Sequence, residues 1–226
     1  MSKLINKYSK IGNLKYISHL DVLRFIQRAV KRAGINAKYS EGFNPHMKTS
    51  FGFPLSLGTE SIGEYFEIEL NENVSPEEFQ NRMNSVMPRE MQIIKSTYSD
   101  ESQSLMARCA YAEYIIGIES ESLNIDKLND LLTEMLETGV VYLREKKNKK
   151  NKLVTKELNT KEYINFLKAE NVSENKAKIQ AVFITAESGS MKVDEFLKLI
   201  KERAFEIDYH TIMKVDALDK DMKPIL

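Results

Sequence analysis

The sequence predicts an α+β protein made of two tandem ferredoxin-like (split βαβ) units, residues 1–98 and 106–226, the second with an insertion. Three observations predict it. Apolar patterns follow one another in the order β-α-β-β-α-β before residue 98, a related order begins after residue 106, and the polar stretch 98–105 separates them. With 226 residues, 42% of them hydrophobic and 29% charged, the chain can build a sizeable core and is neither fibrous nor disordered.

Residues 3–9 alternate as a strand does, and Ser18 then reads as the N-cap of a helix whose third position is Asp21. Val22, Phe25, Ile26, Ala29, Val30 and Ala33 follow at helical spacing until Gly34 stops the pattern. On the opposite side stand Arg24, Arg28 and Arg32, four residues apart and so in line. A short strand is expected at 37–40, then the irregular run 41–46, and a strand at 64–70. Ser75-Pro76-Glu77-Glu78 marks a second helix start with proline at the first helical position, and Phe79, Met83 and Val86 form its apolar side. A strand at 91–97 completes the first set. The second set comprises strands at 110–118, 140–144, 178–186 and 211–215 with helices at 126–136 and 192–203. Its insertion carries the lysine-rich run 146–152, expected to be an exposed basic hairpin tip.

Charge is zero overall but unevenly placed. Residues 1–60 hold ten lysines and arginines against Asp21, Glu41 and Glu60, a surplus of +7 that the remaining residues cancel. A basic N-terminal region suits a polyanionic partner, and Lys10, Lys15, Arg24, Arg28, Arg32 and Lys48 are its candidate contacts. A charged helix face is also ordinary solvated surface, so the pattern alone leaves both readings open. Six of the nine glycines fall in the first 63 residues, with Pro45 and Pro54, so this region is rich in fixed turns that serve either architecture or close approach of a ligand.

Catalytic signals are sparse. The chain has no Walker loop, dinucleotide turn, nucleophile elbow or zinc helix. His19, at the first turn of the basic helix, and His46, in the Asn44-Pro45-His46 turn, are the candidates for metal-independent acid–base cleavage of RNA, provided that the two rings converge. No cofactor or metal is expected: Cys109 is the sole cysteine, and the three histidines are scattered from His19 to His210. No apolar run has the length of a signal sequence or membrane span, so a cytoplasmic location is expected, with no membrane partner.

The segment 8–21, continuing through Arg24, Arg28, Arg32-Ala33-Gly34, Tyr39-Ser40-Glu41-Gly42-Phe43-Asn44-Pro45-His46 and then 50–64, resembles the radical-SAM-linked protein family, a bacterial domain found alone or fused C-terminally to a radical SAM protein. The resemblance covers about residues 3–70. Its loop signature includes Gly12, Gly42, Phe43, Asn44, Pro45, His46, Ser50, Gly58, Glu60 and Ser61, and the chain departs from it at Lys15 and Met47. It implies a radical SAM protein as partner and, with the charge asymmetry, an adaptor that presents an RNA or ribonucleoprotein substrate. The alternatives are an endoribonuclease using His19 and His46 and a protein-only docking scaffold. Because one thiol cannot ligate an iron–sulfur cluster, the chain purified alone should show no iron and no cluster absorbance; stoichiometric iron in the isolated chain would contradict this.

Overall fold

The computed structural model of the chain describes residues 3–147, 151–185 and 189–226, and is of the α+β class with mostly antiparallel sheet and few helices. Residues 148–150 of the lysine-rich run, with Ala186 and Ser188, lie outside the described residues. The chain divides into two compact units, one of residues 1–110 and 213–226, the other of residues 111–212. This differs from the consecutive blocks 1–98 and 106–226 because the last strand, β10 (Tyr209–Leu218), enters the first unit at Met213 and pairs there in parallel with Glu60 and Ser61.

In the first unit β1 (Lys3–Lys10) lies between β4 (Ile93–Ser99) and β3 (Glu60–Ile68), antiparallel to both, and β2 (Thr49–Phe51) pairs antiparallel with the far end of β3. The stretch 37–40 expected as a strand makes only isolated bridges, Ala37 to Leu70 and Tyr39 to Met47. Helix α1 (His19–Arg32) is capped by the Ser18 hydroxyl, which accepts from the Asp21 amide at 3.2 Å, and Gly34 follows it at φ +66°. Val22, Ile26, Ala29 and Val30 are buried with Phe79 and Met83 of α2 (Pro76–Asn84). A short helix, α3 (Leu105–Arg108), closes the unit with Ile5, Tyr65, Cys109, Ala217 and Ile225.

Two ion pairs, one buried and one partly buried, fasten β10 into this unit. Lys214 donates to Glu64 at 2.7 Å, both side chains 7% exposed, and Glu64 also accepts from the Ser61 hydroxyl. Asp216 accepts from Lys7 at 2.6 Å and from the Tyr65 hydroxyl at 2.5 Å. Gly63 sits where β10 passes, and a Cβ there would collide with the Val215 carbonyl and the Asp216 backbone.

In the second unit the strands run in the order β10-β5-β9-β8, with β5 (Tyr111–Glu119), β9 (Lys176–Ile184) and β8 (Ile164–Ser173), and α4 (Ile125–Glu137) and α5 (Val193–Arg203) pack on its core. The strand expected at 140–144 is β6 (Val141–Lys147), but it pairs only with β7 (Leu153–Asn159) in a separate two-stranded ribbon. The place expected for it in the sheet belongs to β8. The β8 burial pattern is irregular and its register shifts between Ile164 and Phe166, so no clean alternation marks it in the sequence. Arg144 of β6 holds Glu195 of α5 by two bonds, 2.7 and 2.6 Å, and donates to the Ser190 carbonyl.

Removing one partner of a buried pair strands the other charge, so Lys214→Met should lower the unfolding free energy by about 3–5 kcal/mol in urea titration. Glu64→Gln combined with Lys214→Met should recover most of that loss. Equal cost in the single and double variants would show that the pair is not the link.

Candidate nucleic-acid interface

Helix α1 acquires a cationic face because a narrow apolar stripe is turned inward. Val22, Ile26, Ala29 and Val30 face the core, which turns Arg24, Arg28, Lys31 and Arg32 to solvent. Phe25 is half-buried between the two sides, and the Arg32 guanidinium lies 5.8 Å from its ring centre. Phe25, Arg28, Lys31 and Arg32 line an open depression of about 410 Å3. Lys31, outside the set that the sequence predicts, had a readable signal: it stands three residues after Arg28, on the same side.

The acids around this face are few. Arg24 lies 3.7 Å from Asp21, an exposed pair that adds little stability. Arg32 donates to the Val86 carbonyl at 3.1 Å. Among the described residues no carboxylate pairs with Arg28 or Lys31, and the Lys31 ammonium lies 5.9 Å from the Tyr39 ring centre.

The other expected contacts separate. Lys15 sits in the 3-10 turn before α1, its ammonium 5.4 Å from the Tyr16 ring centre. Lys48 is exposed but shares Glu69 with Lys38, at 3.8 and 4.0 Å. Lys10 must be corrected: it is 2% exposed and donates to the carbonyls of Ile17 at 3.0 Å and Lys15 at 3.4 Å. It braces the turn that leads into α1 instead of facing a ligand. Burial lowers its pKa from lysine's ordinary value, and the nearby Glu64 carboxylate opposes that shift.

Much of the loop signature is architectural. Gly12, at φ +60°, donates its amide to Glu60 at 2.6 Å, and Gly58, at φ +81°, donates to the Lys15 carbonyl. Ser50 bonds Glu67, and Ser61 bonds Glu64. Gly42, Phe43, Asn44, Pro45 and His46 instead are all exposed. The His46 amide donates to the Ser40 hydroxyl at 2.9 Å, whereas the His19 ring packs edge-on against Phe51 at 5.8 Å. The contact at His19 is thus made by its ring and the one at His46 by its backbone amide. Cys109 is buried, and desolvation pushes its thiol up to about 11, so at neutral pH it is a protonated, unreactive group.

Among the described residues no group of three or more His, Cys, Asp or Glu side chains is placed to hold a metal ion, and no helix is long and apolar enough to cross a membrane. The model of a bacterial family described as "Uncharacterized protein conserved in bacteria (DUF2344)" matches residues 3–193. No curated protein matches the sequence. Among solved structures, a chain of a Cbf5-Nop10-Gar1 complex is similar at TM-score 0.53 and 9% identity, over 97% of this chain and 50% of that one. A chain of an H/ACA RNP bound to a substrate RNA containing 2'-deoxyuridine is similar at TM-score 0.51 and 8% identity, over 97% of this chain and 49% of that one. The protein thus spans about half the length of these solved chains, and at such identities the likeness is one of fold.

The burial of Lys10 generates a contrast with its surface neighbours. Lys10→Met leaves two carbonyls without their donor and should cost about 1–3 kcal/mol in thermal or urea unfolding. Lys15→Met should cost less than about 0.5 kcal/mol. Equal effects would return Lys10 to the surface set.

Proposed function

We propose, from the premise that the chain belongs to the bacterial family DUF2344, that it is a non-catalytic adaptor that binds an RNA or ribonucleoprotein substrate through the cationic face of α1. The observation that carries this reading is the array of Arg24, Arg28, Lys31 and Arg32 on one solvent-facing side, with Asp21 as the one carboxylate in an ion pair with it among the described residues. Guanidinium groups hold phosphate oxygens at two points, and their release of counterions gives polyanion binding its driving force. The fold likeness to a chain of an RNP bound to substrate RNA is in keeping with this and adds no residue-level argument.

The proposed partner is a radical SAM protein, on the strength of the signature over residues 3–70. The same reading takes each unit as a ferredoxin-like module: β4-β1-β3-β2 and β10-β5-β9-β8 place strands in corresponding order, with the β6–β7 ribbon as the insertion of the second. A protein-only scaffold is the second reading. It draws on Tyr16, Leu20 and Leu57, each at least 60% exposed around the 3-10 turn, where the Gly58 amide joins its loop to Lys15.

Fluorescence anisotropy with labelled RNA across a salt series tests the first reading. Arg24→Gln with Arg28→Gln should weaken binding and reduce the slope of log K against log salt by about 1.4, roughly 0.7 for each lost single-strand phosphate contact, at an unchanged melting temperature. Unaltered affinity would overturn it. If that variant instead loses a radical SAM protein in affinity capture while RNA retention is unaffected, the scaffold reading stands.

A further inference from the structure

We infer that the loop after α1 is a base-stacking platform built around Phe43, so that the basic face takes unpaired RNA in preference to duplex; this rests on the RNA-binding reading above. Phe43 is 107% exposed, its ring wholly in water, and Tyr39 at the loop's entry is 40% exposed. An exposed phenylalanine on a slack loop would mean little. Here the neck of the loop is closed by the Tyr39–Met47 bridge, by the Ser40 amide donating to the His46 carbonyl at 2.8 Å, and by the His46 amide donating to the Ser40 hydroxyl. Met47, at the closing end, is buried in the core of the unit. Gly42 supplies φ +119°, and Pro45 fixes the descending limb. The fold therefore holds Phe43 outward.

What surrounds it selects the occupant. Tyr39 joins the loop to the cationic depression through its contact with Lys31, and that depression continues along Arg28 and Arg32. The remaining loop residues are polar or small, with Glu41 the single acid, so the ring does not belong to a broad apolar patch of the kind that protein partners bury. An exposed aromatic on a loop whose entry meets a row of cations suits single strands: the cations follow the phosphates, and the ring stacks on a base face without reading its edge. Paired bases in an A-form helix offer no free face to such a ring. Phenylalanine has no hydrogen-bonding group, so the contact should tolerate any base.

The test uses the full chain, a labelled single strand of about 12 nucleotides and a hairpin duplex with the same number of phosphates. The single strand should bind at least about tenfold more tightly. Phe43→Ala should weaken single-strand binding about 5- to 50-fold without changing the salt slope, and Phe43→Trp should restore it. Equal affinity for strand and duplex, or a Phe43→Ala variant that binds like the wild type, overturns the inference. If Phe43→Ala is silent while Arg24→Gln with Arg28→Gln still weakens binding, stacking is refuted and the polyanion reading survives. If the wild-type chain retains no RNA at all, both fail. Loss of a protein partner by Phe43→Ala with RNA binding unchanged would assign the loop to that partner and also overturn the inference.

Discussion

The burial of charge between β10 and the strands it joins is the constraint on which the first unit depends. Lys214 and Asp216 come from the end of the chain and meet Glu64 and Lys7, 150 and 209 residues away in sequence. Charges taken out of water demand partners at one geometry, and a shift of β10 by one residue would turn both side chains to the wrong face. Such pairs add little net stability compared with a well-packed apolar core, but they exclude alternatives. The Tyr65 hydroxyl completes Asp216, and burial, with the Asp216 carboxylate beside it, holds the tyrosine in its protonated form. With Gly63 giving β10 room to pass, the last strand has a single register on β3.

The cationic face follows from the same economy of polar groups. Inside the unit, Lys10 is consumed by the carbonyls of Lys15 and Ile17, and Glu60 by the Gly12 amide, so the turn before α1 is fixed by internal bonds. The apolar stripe of the helix then has one way to face the core, and its arginines point outward as a consequence. The features offered to a ligand are those left over after the core has been satisfied: Arg28, Lys31 and the loop that presents Phe43. Surface groups with no structural task are where recognition is best sought.

The second unit shows the limit of pattern reading. Its sheet strand β8 has Ile164 and Leu167 buried, three residues apart, with a register shift between Ile164 and Phe166, so neither period two nor period 3.6 describes it. The ribbon strand β6 alternates more clearly yet stands outside the sheet, its Tyr142 buried and its Leu143 exposed. A strand's alternation says that one face is covered; it does not say by which neighbour.

The α+β class, the caps and stripe of α1, the start of α2 at Ser75-Pro76 and the outward row Arg24, Arg28 and Arg32 are legible in the sequence, because each depends on residues within a few positions of one another. The sequence also displays Phe43 and the turn around it as a conspicuous run. Long-range packing settled that Lys10 is buried while Arg28 is not, that Lys48 shares Glu69 with Lys38, that His19 meets Phe51 while the His46 amide meets Ser40, and that the last strand is divided between two units. Those outcomes turn on which distant group supplies a partner or removes water from a charge, and a local pattern carries no record of either.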